Sequence, residues 1–141
     1  KVKGASASVV IAAYGVMRAI FGAFNVGFGG VAGFVRPVIM PMVTAAIENK
    51  EGEINEEHEE QAKGMAAGME NIMWFFFQVL FIGGSGGLLV QGTLAGLGYD
   101  VSLVDLAKVE VPVAVFALII TIVYYFLKDK QLSKKYYGKE K

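Results

Sequence analysis

Residues 111–127 form seventeen consecutive positions without a charge. As a helix rising about 1.5 Å per residue, this run is roughly 26 Å long, close to the ~30 Å hydrocarbon thickness of a bilayer. Pro112 opens it, where a missing N–H costs little. Tyr124 and Tyr125 lie near its end, and Lys128 and Lys130 follow at once. Aromatic rings favour the membrane interface, and lysines mark the cytoplasmic side. A buried helix of a soluble protein is the competing account, but such helices are usually shorter and amphipathic.

Charge elsewhere is segregated. Seven of the thirteen acids fall within residues 48–60, and six of the thirteen basic residues fall within 128–141. The zero net charge therefore conceals apolar blocks separated by charged ones. It also argues against nucleic acid as a partner, which needs a basic face. There is no cysteine, so disulfides and cysteine-ligated zinc are excluded. The chain opens on Lys1, which suggests either a removed leader or a fragment.

The first apolar block, residues 5–47, is a broken or hairpin helical segment. It is interrupted by Arg18 and by four glycines between Asn25 and Gly33. Pro37 disfavours helix at Arg36, so a helix is predicted to start there and run through Ile47. That gives roughly 16 Å, about half a bilayer, and Pro41 weakens it further. Residues 48–64 form an acidic soluble connection, in which Asn55 is a predicted N-cap and His58 lies on a solvated face. The second block, residues 65–97, is also glycine-broken. An apolar stretch to Ile82 meets Gly83, Gly84, Ser85, Gly86 and Gly87 before residues 88–97 resume it. Two half-length helices meeting at the glycines are expected. Residues 98–110 form a polar connection ahead of the transmembrane helix 111–127, and 128–141 form a basic cytoplasmic tail. One membrane domain spans all of this, and no useful strand alternation occurs.

Broken helices expose backbone groups that are tolerable only in protein or beside a water-filled cavity, where they bind substrates or ions. Glycines that merely pack helices are the alternative; the pairs 29/33, 64/68, 83/87 and 92/96 have suitable spacing. Arg36, after the loop holding Asn25, Gly29 and Gly30, combines a guanidinium with free helix N–H groups. It suits a carboxylate, or equally snorkels to the lipid surface. Arg18 lies mid-run and needs a partner or water. Glu70 is one candidate, although the water interface is the favoured place for it. Asn71, Gln78, Gln91 and Thr93 are neutral hydrogen-bonding groups beside or within apolar runs. They would bind a polar substrate or join helices. Gly84 and Ser85 belong to the glycine break. The formal G-x-S-x-G there suggests a serine hydrolase, but no base accompanies it, and no enzyme activity is expected.

Several ordered motifs resemble one family. FVRPVIMPM at 34–42 follows a glycine pair. EN at 70–71, FFQ at 76–78, FIG at 81–83, LLVQGTL at 88–94 and GYDV at 98–101 come after it. The chain resembles domain-of-unknown-function family 969, a bacterial inner-membrane family described as a 5-oxoproline transporter subunit. The resemblance runs from about Lys3 to Asp129. It implies a longer protein of which this is the C-terminal portion, and a second, larger membrane subunit as partner. The expected protein is an all-α integral membrane protein of the bacterial cytoplasmic membrane, multi-pass, with three to four transmembrane segments. Two of these are broken or re-entrant at glycine-rich loops. Its expected work is uptake of a small organic anion, 5-oxoproline, without a cofactor and coupled to an ion the sequence does not name. Arg36 with the glycine loop would hold the carboxylate, and Asn71 with Gln78 the lactam. The alternative is a non-transporting scaffold or regulatory subunit of a partner permease. With four crossings both termini and the acidic stretch lie inside; a re-entrant 37–47 would put Lys1 outside.

Overall fold

The structure is a computed structural model that describes residues 5–138. The topological expectation about Lys1 and the last three residues of the basic tail lie outside the described residues. Five helices form: α1 (Ala7–Ala23), α2 (Val31–Glu51), α3 (Glu56–Gln78), α4 (Ser85–Gly96) and α5 (Leu103–Tyr137). No strand occurs among the described residues.

Local chemistry explains most of the boundaries. The Ser6, Asn55 and Ser102 side chains accept hydrogen bonds from the amides of Val9, His58 and Asp105, capping α1, α3 and α5. Each satisfies an amide that the first helical turn leaves open. Glu56, Glu57 and Glu59 in the first turn of α3 suit the positive end of its dipole. Gly52 ends α2 with φ 93°, a left-handed conformation in which a side chain would clash.

Two proline expectations are corrected. α2 does not begin at Pro37; it begins at Val31, and Pro37 lies inside it. The helix widens to a π-helical pitch over Val31–Ile39, and the Met40 amide reaches back to the Val35 carbonyl. A π turn accommodates a residue that has no N–H and whose ring crowds the preceding turn. The result is a helix of 21 residues, long enough for a bilayer rather than half of one. Likewise Pro112 lies within α5 rather than at its start, and the polar connection turns helical at Leu103. The middle block does break at its glycines, but α3 reaches Gln78 as one helix of 23 residues. Only α4, with 12 residues, is short.

α1 packs most extensively on α3, and both pack on α5, while α2 packs on α1 and α3. The core lies between them. α3 contributes Ala62, Met65, Ala66, Met69, Met73 and Phe77 at helical spacing, and α2 contributes Val35, Ile39, Val43 and Ile47. Glycines permit the tightest approaches. A Cβ at Gly15 would lie 2.4 Å from Met69 Sδ, and one at Gly68 2.3 Å from the Tyr125 hydroxyl. Of the i, i+4 glycine pairs, Gly64, Gly83, Gly92 and Gly96 would meet nothing.

The start of α1, the α2–α3 turn and the end of α5 gather at one end, since Ser8 and His58 both reach Asp129 and Lys50 reaches Ser133. The α1–α2 loop and the end of α3 lie at the other. The basic tail is therefore no free appendage. Residues 128–137 continue α5 and bury Asp129, Leu132 and Ser133 against the bundle.

α2 and α5 are long and apolar enough to cross a membrane. In α5 the most apolar window has a mean hydropathy of 2.3 and is only 11% buried. The core helix of a soluble protein would be covered by its neighbours, whereas Val109, Phe116, Ile119 and Leu127 are exposed. α4 buries no residue at all.

Candidate functional site

Tyr14 and Arg18 stand one turn apart on α1, so their side chains share a face. Glu70 and Trp74 do the same on α3. Where the two faces meet, Arg18 Nε lies 2.6 Å from Glu70 Oε2. The Tyr14 hydroxyl donates to the same oxygen. Arg18 is 2% exposed and Glu70 3%. Burying either charge alone would cost several kcal/mol; their pairing and shared hydrogen bonds offset much of that. This corrects the expectation that Glu70 sits at a water interface.

The guanidinium is enclosed by aromatic rings and by the glycine loop. Its carbon lies 4.3 Å from the Trp74 ring centroid and 5.6 Å from that of Phe28. Arg18 Nη1 donates to the Val26 carbonyl at 3.3 Å. Phe28 in turn stacks on Phe34, and Phe34 on Tyr14, at 5.1 and 5.9 Å between centroids. The loop reaches this position through left-handed conformations at Asn25, Gly29 and Gly30. The arrangement is a cation held against π faces, with one carboxylate bound and a glycine-rich loop over it.

A second buried cluster ties the opposite end together. His58 is 1% exposed, not solvated as its acidic neighbours suggest. Its Nε2 sits 3.4 Å from Asp129 Oδ1, at ion-pair distance but without hydrogen-bond geometry. Its Nδ1 sits 3.3 Å from the Tyr137 hydroxyl, which accepts from the Asn55 amide. Ser8 donates to Asp129 Oδ2 from its hydroxyl at 2.7 Å and its amide at 3.2 Å. Asp129 lies two residues past the apolar run 111–127. Burial alone would raise its carboxyl, but the facing imidazole and the two Ser8 donors outweigh it and hold it at about 2. Beside this cluster Lys50 and Glu51 meet Ser133 in a cleft of about 850 Å³ floored by Phe126 and Leu127.

The residues singled out in the sequence scatter. Arg36 is exposed and lies within the π segment of α2, not at a helix N-terminus. Asn71 is exposed, while Gln78 is half-buried at the end of α3. Ser85 opens α4 after Gly84 and is exposed. Gln91 donates to the Val101 carbonyl at 2.9 Å, and Thr93 to the Leu89 carbonyl at 2.9 Å. Asn25, Gly29 and Gly30 do belong to the loop that covers Arg18. Tyr14, Phe28 and the ring contact of Trp74 were missed. The signal available for them was the four-residue spacing of Tyr14 with Arg18 and of Glu70 with Trp74. Among the described residues, no group of three or more His, Cys, Asp or Glu side chains is placed to hold a metal ion.

The fold and the buried pair define a class: an all-helical bundle with two helices long and apolar enough to cross a membrane and an ion pair buried between α1 and α3. Residues 1–133 match the family described as "Protein of unknown function (DUF969)", and the chain belongs to that family. No curated protein and no solved structure matches it.

Proposed function

We propose that this chain is a multi-pass subunit of a bacterial cytoplasmic-membrane permease that takes up a small organic anion. 5-Oxoproline, the substrate implied by the family resemblance, is the first candidate. The observation that carries the proposal is the buried Arg18–Glu70 pair where α1 packs on α3. Ionisable groups inside a membrane bundle are costly and are retained where they bind substrate or move charge. The uncovered apolar face of α5 supports the membrane setting, since lipid would solvate it at no cost. Arg18, enclosed by aromatic rings, replaces Arg36 as the proposed carboxylate receptor. A second membrane subunit is the expected partner.

The test is uptake of radiolabelled 5-oxoproline by cells expressing the full-length protein with its partner. Uptake that disappears in Arg18→Gln, with insertion verified, is the expected result. No uptake by the inserted wild-type pair would overturn the substrate. Uptake by the partner alone, unchanged when this chain is removed, would overturn the permease role. That outcome favours a scaffold, for which the bare apolar faces of α4 and α5 would be docking surfaces.

A further inference from the structure

Arg18 already holds a carboxylate. In this structure that carboxylate is Glu70, bound through Nε at 2.6 Å with both side chains almost wholly enclosed. A small organic anion offers the guanidinium the same chemical group. Two carboxylates on one enclosed cation would leave a net buried negative charge, which is far more costly than a neutral acid in the same place. Protonation of Glu70 removes that excess charge and frees Arg18 for the anion.

Resting on the permease proposal, we propose that Glu70 carries the coupling proton: a substrate carboxylate displaces Glu70 from Arg18 as Glu70 takes up one proton. The step balances. One anion and one proton enter together, the Arg18–Glu70 ion pair becomes an Arg18–substrate ion pair, and Glu70 becomes a neutral acid. On the other side the substrate leaves, Glu70 releases its proton to water and re-forms the pair with Arg18.

The surroundings suit such an exchange. Tyr14 donates its hydroxyl to Glu70 and can keep doing so to the carbonyl oxygen of the neutral acid. The charged and titratable groups facing Glu70 are Arg18 and Tyr14 from α1; α5 brings Tyr125 to Gly68, two residues along α3. α2 presents the buried apolar residues Val35 and Ile39, and its Arg36 is exposed. Thus no second buried cation on these elements holds Glu70 in its charged form once Arg18 is taken. The loop over Arg18 turns at Gly29 and Gly30, with φ 81° and 65°, and contributes only a carbonyl and the Phe28 ring to the guanidinium. Moving that loop takes the Val26 carbonyl and the Phe28 ring off the cation without breaking a helix, while Trp74 and Glu70 stay in place on α3.

The experiment is uptake of radiolabelled 5-oxoproline into proteoliposomes containing the full-length protein and its partner. A proton gradient, a sodium gradient and a membrane potential are imposed separately. Co-entry of one anion with one proton is electroneutral, so accumulation should follow the proton gradient, up to about tenfold per pH unit, and ignore the potential. Glu70→Gln, which cannot exchange a proton, should lose the response to the proton gradient. Wild-type accumulation driven by sodium or by the potential but not by the proton gradient would overturn the coupling and leave the permease proposal standing. So would a Glu70→Gln protein that still accumulates substrate with the proton gradient. Absence of any wild-type transport would overturn the permease proposal itself. The wild-type comparison of gradients stands even if the variant fails to insert.

Discussion

Replacing Arg18 with Met would leave Glu70, 3% exposed, as a buried carboxylate without its cation. The expected loss is about 3–5 kcal/mol in unfolding free energy. The double variant Arg18→Met with Glu70→Gln should recover a large part of it, because no bare charge remains. Thermal unfolding of the four proteins in detergent checks this, and additive losses would show that the two groups are not coupled. Gly68 offers a second residue-scale test. A methyl group there meets the Tyr125 hydroxyl at 2.3 Å, so Gly68→Ala should cost about 1–3 kcal/mol. Tyr125→Phe removes the obstructing oxygen; the next ring atom lies 3.6 Å away, an ordinary contact. The double variant should therefore be more stable than Gly68→Ala alone. Asp129 supplies a pH signature. Its folded-state carboxyl sits at about 2, below the usual value of 3.8. Its contribution is thus present above about pH 4 and lost as pH falls toward 2. The gap in melting temperature between wild type and Asp129→Asn should close across that window and stay constant above it.

Among the elements, α3 is the one whose start was most legible. Asn55 followed by Glu56 and Glu57 is a local pattern, and local hydrogen bonds honour it. Asn55→Ala should cost about 1 kcal/mol, with Asn55→Asp largely preserving the cap; chemical denaturation of the two variants measures it. α2 shows the opposite. Pro37 is a strong local signal for a helix start, yet the helix runs through it by widening its pitch. Val35, Ile39, Val43 and Ile47 form one buried stripe at spacing four. Keeping that stripe continuous against the bundle outweighs the hydrogen bond that proline forfeits. The last turns of α5 are similar. Lys128, Lys130, Lys134 and Lys135 look like a solvated tail, whereas Asp129, Leu132 and Ser133, on the other face, are packed.

For the whole molecule, the antiparallel run of α1, α2, α3 and α5 puts the α2–α3 turn and the end of α5 together. The α1–α2 loop and the α4–α5 connection lie away from them. If the bundle spans a membrane as proposed, single cysteines at Glu53 and Gly138 should react from one side, and cysteines at Asn25 and Asp100 from the other. The sequence has no cysteine to interfere. Labelling of Glu53→Cys and Gly138→Cys from opposite sides would contradict the bundle.

All-helical structure, the apolar length of residues 111–127, the cap at Asn55 and the interruption near Gly83 were legible because each depends on neighbours a few residues apart. Propensity, capping and hydrophobic length act over that range. The family, too, was readable from ordered motifs, and residues 1–133 match it. What only the tertiary structure decided are the contacts between distant parts of the chain. Arg18 meets Glu70 across 52 residues, and Ser8 meets Asp129 across 121. No spacing rule encodes such pairs. His58 among four glutamates reads as solvated until helix α5 covers it, and Arg36 beside a glycine loop reads as a binding group until α2 turns it outward. The residue types announced that charge had to be managed among apolar helices; the packing of α1 on α3 chose which charges were brought inside together.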